Sequence, residues 1–155
     1  MTIHFAYGSN MSRSLMAGRC PGARAIGVAT LMNWRFIITR DGYASIVPSP
    51  GRVVHGVAWR LTPRDLAALN AYEALDSGLY RRRMLSIRCN GRLAKALTYV
   101  GRARAEGRPR AGYQNGIVLP AAREWALPEA YVAELARWGP ATWPGRGRPE
   151  PGALR

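Results

Sequence analysis

Near its start the chain carries a mostly apolar run, Ile3-His4-Phe5-Ala6-Tyr7, that breaks at Gly8-Ser9-Asn10. This pattern predicts a short buried strand running into a turn. Ser12 to Arg19 reads as a short helix with Ser12 as its cap, ended by Pro21-Gly22. Between Ala25 and Thr39, the positions Val28, Leu31, Trp34, Phe36, Ile37 and Ile38 predict one or two strands, and Asp41-Gly42 a hairpin turn. Tyr43 to Val47 is short and β-like. Pro48-Ser49-Pro50-Gly51 predicts a loop, and Val53, Val54, Val57 and Trp59 a further strand.

Helical signals are clearest after Thr62. Thr62 stands as N-cap, Pro63 at the first helical position and Asp65 three residues past the cap, which predicts a helix to about Glu73. Asp76-Ser77-Gly78 punctuates the chain, and a strand pair follows. In it Leu85, Ile87 and Cys89 alternate with Ser86 and Arg88, and Asn90-Gly91 supplies a type I′ turn. Gly101 to Gly112 reads as an arginine-rich loop. A last helix is predicted over about Pro128 to Trp138, with Tyr131, Leu135 and Trp138 as its apolar stripe. The sum is an α+β fold, a small mixed β-barrel with a few short flanking helices. Residues 1–138 are read as a single domain and 139–155 as a tail rich in Pro, Gly and Arg.

The 155 residues suit one domain, and 17 glycines with 11 prolines suit strands joined by tight turns. No run is long and apolar enough to span a membrane as a helix, and the first residues lack a basic segment followed by an apolar one. Cys20 and Cys89 fit no metal or redox spacing, so the expected setting is the cytoplasm. The formal net charge of +14 first suggests a polyanion partner. Yet Lys95 is the lone lysine and the arginines are scattered, which an arginine-biased composition produces without any nucleic acid. The one dense cluster is Arg81-Arg82-Arg83, where strand alternation would turn one guanidinium toward a cleft.

Glu73 continues the stripe of Leu66 and Leu69 on the helix after Thr62. A carboxylate there faces the core or a cleft wall, where burial raises its pKa toward that of a general base; the other reading is a frayed last turn reaching solvent or an arginine. Tyr7-Gly8-Ser9-Asn10 is either an ordinary turn or a cradle of backbone N–H groups for a carboxylate or an oxyanion. Tyr72, Tyr80 and Tyr113 are read first as core aromatics with polar tips. His4 and His55 have no partner at metal-ligand spacing. No serine stands in a nucleophile elbow, and no P-loop or dinucleotide fingerprint is present.

Phe5-Ala6-Tyr7-Gly8-Ser9-Asn10 resembles the N-terminal signature of the gamma-glutamylcyclotransferase-like family, and later blocks keep that family's order. Pro48-Ser49-Pro50-Gly51 with Val54-His55-Gly56-Val57-Ala58-Trp59 is similar to its central loop and strand. Leu69-Asn70-Ala71-Tyr72-Glu73 with Ser77-Gly78-Leu79-Tyr80 is similar to its catalytic-glutamate segment, and Tyr113 with Leu127-Pro128-Glu129-Ala130-Tyr131 to its C-terminal part. Asn70 and Ala74 depart from an acidic residue and a glycine common in the family, which bears on the substrate subclass. The resemblance implies cyclisation of a gamma-glutamyl group to 5-oxoproline with release of an amino acid or amine. It implies Glu73 as acid/base, the segment Ala6, Tyr7, Gly8, Ser9 and Asn10 together with Tyr113 as the substrate-binding set, no metal, and no organic cofactor. The Tyr-Gly-Ser-Asn form is similar to the branch acting on gamma-glutamyl amino acids. The expected partner is thus a small gamma-glutamyl compound, with the chain a monomer or homodimer. The alternatives are a binder of such a compound without turnover and a basic nucleic-acid-binding domain.

Overall fold

The computed structural model describes residues 1–73 and 78–139. Strands β1 (Thr2–Ala6), β2 (Arg24–Ile38), β3 (Ala44–Leu61), β4 (Tyr80–Cys89) and β5 (Arg92–Gly101) close a barrel in the order β1-β3-β2-β4-β5. All neighbours are antiparallel except β1 and β5, whose parallel contact at His4 and Leu97 shuts the barrel. Helices α1 (Arg13–Arg19), α2 (Pro63–Tyr72), α3 (Leu119–Glu124) and α4 (Glu129–Ala136) flank it. Among the described residues no helix is long and apolar enough to cross a membrane.

The run expected to form one or two strands is a single strand, β2, whose register with β3 shifts between Ala25 and Gly27 and between Met32 and Trp34. Asn33 sits at φ 69°, one of few non-glycine residues in the left-handed region. Here the sequence reading needs correction: Pro48-Ser49-Pro50-Gly51 is not a loop but part of the continuous β3. Pairing stops at Pro48–Trp34 and resumes at Val53–Met32, so the prolines sit at a wide bulge that demands few ladder N–H groups. Gly51 donates its N–H to Asn33 Oδ1 across it at 3.0 Å. The Asn90-Gly91 turn has both φ values positive, at 52° and 74°, as a type I′ turn requires. At Gly56 β3 packs directly against the end of β1. A Cβ there would lie 2.2 Å from the Ala6 carbonyl oxygen and 2.9 Å from the Phe5 ring.

The helix signals at Thr62 are realised in full. Thr62 Oγ1 accepts the Asp65 N–H at 3.1 Å and Asp65 Oδ2 accepts the Thr62 N–H at 3.0 Å. Asp65 Oδ1 also accepts from Gly22 N–H at 3.1 Å, which ties the start of α2 to the link between α1 and β2. The last helix is shorter than the pattern suggested, with Tyr131 and Leu135 buried and Trp138 beyond its end packing edge-on against Phe36. A π-turn over Gln114–Val118 running into α3 has no counterpart in the sequence reading. The proline at the start of α3, Pro120, was its one available signal. The tail, from residue 140 on, and residues 74–77, including Ser77 of the glutamate block, lie outside the described residues.

Candidate active site

β1 carries His4 to Ala6 into the interior, and after Tyr7 and Gly8 the chain turns through a 3-10 segment, Ser9–Met11. Met11 N–H bonds back to Gly8 O at 3.1 Å and Ser12 N–H to Ser9 O at 3.0 Å. Ser12 then caps α1 by accepting the Leu15 N–H. From the other side, α2 delivers Glu73 as the cap residue just past its end. The Glu73 N–H still bonds to Leu69 O at 2.9 Å, so its side chain follows the Leu69 stripe inward and is 4% exposed.

These two segments meet. One small pocket is bordered by Ala6, Tyr7, Gly8, Ser9, Asn10, Glu73 and Tyr113, the catalytic and substrate-binding set that the resemblance implies. His4, Phe5, Ala44, Tyr80 and Tyr99 complete its wall. None of Arg81, Arg82 and Arg83 borders it: Arg82 and Arg83 are exposed and Arg83 lies over the Trp34 ring. The expectation that one of them faces the cleft is corrected, because the buried face of β4 at this end is supplied by Tyr80.

Asn10 is the hub. Its amide nitrogen donates to Glu73 Oε1 at 3.2 Å and lies 3.5 Å from His4 Nε2, while its amide oxygen accepts from Arg19. His4 Nδ1 lies 3.0 Å from the Leu97 carbonyl, which can only accept, so Nδ1 carries the proton and Nε2 is left as an acceptor for Asn10. Burial pushes the His4 pKa down to about 4, against the opposing pull of that Leu97 bond. The imidazole is therefore neutral at neutral pH.

Phenols make up much of the remaining wall. Tyr7 donates to the Tyr99 carbonyl, Tyr80 to the Ala44 carbonyl at 2.9 Å, and Tyr99 to Asn70 Oδ1 at 2.6 Å. The Tyr113 oxygen accepts the Ala44 N–H at 3.3 Å and is also hydrogen-bonded to the Ser9 backbone. Burial, followed by the nearby Glu73 charge, holds the Tyr7 and Tyr99 hydroxyls above their usual pKa; burial also raises that of Tyr113. All three stay protonated and can donate. Among the described residues no cluster of three or more His, Cys, Asp or Glu could hold a metal ion.

His4, Arg19, Asn70 and Tyr99 were not candidates from the sequence. His4 was weighed only as a metal ligand, although a polar residue inside an apolar strand was itself a signal. Arg19 was one arginine among many. The assembled site is a dehydrated carboxyl group, neutral hydrogen-bond donors and a backbone turn around one small space. It suits proton transfer on a compact polar ligand.

Residues 4–125 match the family model described as gamma-glutamyl cyclotransferase, AIG2-like. The chain is 27% identical over 157 residues to gamma-glutamylcyclotransferase of Mus musculus, covering 93% of this chain and 82% of the relative. The Homo sapiens gamma-glutamylcyclotransferase matches with the same identity and coverage. A solved structure titled gamma-glutamyl cyclotransferase superposes with a TM-score of 0.85 at 26% identity, covering 96% of this chain and 94% of that one.

Proposed function

The chain belongs to the gamma-glutamyl cyclotransferase, AIG2-like family, and from that premise we propose that it converts a gamma-glutamyl amino acid to 5-oxoproline and the free amino acid, with Glu73 as the acid/base. It is an enzyme of the gamma-glutamylcyclotransferase kind. The substrate's α-nitrogen attacks its own γ-carbonyl carbon, forming the ring C–N bond. The tetrahedral carbon then collapses and breaks the bond to the leaving nitrogen. An α-ammonium cannot attack, so a proton must first leave it. Over the whole reaction it gives up two protons, both of which end on the departing amine. Glu73 carries them from one nitrogen to the other, and no water is consumed.

What supports this reading is one observation: the Glu73 carboxyl and the Gly8-Ser9-Asn10 turn border the same pocket. The carboxyl is 4% exposed and takes a hydrogen bond from Asn10, which holds it where it can exchange protons with a bound ligand. The backbone of the turn receives the α-carboxylate or the developing oxyanion, and Tyr113, whose oxygen already accepts from Ala44 N–H, donates its own proton to the glutamyl part. Because attack is intramolecular, the site's main task is to hold the substrate folded for ring closure. The test is incubation with gamma-glutamyl-alanine and measurement of 5-oxoproline and alanine. Glu73→Gln should lower turnover by about 10²- to 10⁴-fold, the usual worth of a positioned acid/base. Wild-type turnover in Glu73→Gln removes Glu73 from the mechanism, and no 5-oxoproline from the unaltered protein with any gamma-glutamyl amino acid leaves only a binding role.

A further inference from the structure

Arg19, at the end of α1, is hydrogen-bonded to the turn that carries Asn10, and it does not border the cavity. Its Nη1 donates to Ser9 Oγ at 3.0 Å and to Asn10 Oδ1; its Nη2 donates to the Tyr72 hydroxyl at 2.8 Å. The guanidinium lies 4.0 Å from the centroid of the Tyr72 ring. One planar group thus joins the turn after β1 to the last turn of α2, the two segments that carry the site.

The consequence runs through the Asn10 amide, which has one acceptor end and one donor end. With its oxygen held by Arg19, its –NH₂ must face Glu73 Oε1 and the unprotonated His4 Nε2. Flipped, the amide oxygen would confront a carboxylate and an imidazole lone pair, with acceptor against acceptor at both contacts. We propose that Arg19 is a positioning residue for Glu73: by locking the Asn10 amide it fixes the carboxylate in the orientation that meets the substrate nitrogen. This rests on the reading of Glu73 as acid/base.

Arg19 also sets the local charge. Among the described residues the titratable groups around Glu73 include Arg19 from α1, Tyr7 just past β1, His4 from β1 through Asn10, Tyr80 from β4, Tyr99 from β5, and Tyr113 ahead of α3. Tyr7, Tyr99, Tyr113 and His4 are neutral at neutral pH, whereas Arg19 carries a positive charge that interacts with Glu73. Removing it disfavours the carboxylate, and the acid limb of kcat/KM must move to higher pH.

The experiment measures 5-oxoproline formation from gamma-glutamyl-alanine across pH 5–9 for wild type, Arg19→Met, Arg19→Lys and Glu73→Gln. Arg19→Met should lose kcat by roughly 10- to 100-fold, the scale of a misplaced catalytic group, with KM within about threefold and the acid limb shifted upward. Arg19→Lys keeps the charge but not the planar fork, so it should hold the wild-type acid limb while recovering only part of kcat. A rise in KM with kcat intact makes Arg19 a substrate ligand and overturns the proposal; so does wild-type behaviour of both variants. If Arg19→Met does not fold, Arg19→Lys decides alone, with reduced kcat at unchanged KM expected and wild-type kcat overturning. Inactive Glu73→Gln beside fully active Arg19 variants sinks this inference only. Active Glu73→Gln sinks the acid/base role itself. Positioning is then read by ¹³C NMR titration of the Glu73 carboxyl in Arg19→Lys and Arg19→Met. An upward shift in Arg19→Met alone is expected, and none overturns it.

Discussion

Lowering the pH from 7 to 4 should weaken the folded protein, with a defined share of the loss carried by His4. His4 is 2% exposed, and its pKa falls from 6.5 to about 4 because burial disfavours the imidazolium. The unfolded chain takes up a proton below pH 6.5 that the folded protein refuses until about pH 4. Stability from this group is therefore complete above pH 6.5 and drains away as pH falls. Integrating that proton difference gives a loss of about 2 kcal/mol at pH 5 and about 3 kcal/mol at pH 4 relative to pH 7, a large share of a typical domain's 5–15 kcal/mol. Urea denaturation at pH 7, 6, 5 and 4 measures it, with His4→Asn as the comparison. Asn can keep a donor toward Leu97 O but has no titrating group, so its stability should start lower at pH 7 and decline less steeply. The chain has two histidines, and half-buried His55, shifted the same way by burial, contributes equally to both proteins. If wild type and His4→Asn lose stability in parallel between pH 6.5 and 4, the buried neutral imidazole is not the source and the argument fails.

Asp65→Ala removes the reciprocal partner of the Thr62 cap and the acceptor for Gly22 N–H. It should cost about 1–2 kcal/mol, read as a fall in Tm of roughly 3–6 °C by calorimetry. An unchanged Tm would mean that α2 does not depend on its cap. Gly56→Ala forces a Cβ to 2.2 Å from the Ala6 carbonyl oxygen, backbone against backbone. It should cost at least 1–3 kcal/mol and displace β1 from β3, seen as loss of soluble protein or of cooperative unfolding by circular dichroism. Wild-type unfolding in Gly56→Ala would mean that β1 can withdraw freely.

Features encoded over a few residues were readable from the chain alone. The cap at Thr62, the I′ turn at Asn90-Gly91 and the inward stripe ending at Glu73 each depend on neighbours within one turn or one hairpin. Pro48-Ser49-Pro50-Gly51 misled because its turn chemistry is local, whereas its place in β3 depends on Asn33 fifteen or more residues away. Arg81–Arg83 misled for a related reason: alternation says which residues share a face, not which face the barrel closes over.

Periodicity and punctuation in the sequence determined α1, α2 and α4 but not α3, most strands, and two short segments able to carry chemistry. The tertiary structure decided that those segments share one cavity. Tyr7 reaches Tyr99, His4 reaches Leu97 and Asn10 reaches Glu73 across 92, 93 and 63 positions of chain. Such contacts follow from strand register and from the parallel closure of β5 on β1, which no local pattern encodes. The choice of Arg19 among 22 arginines belongs to the same class. Only folding sets that guanidinium against the Asn10 amide, so only the fold distinguishes it from its solvated neighbours.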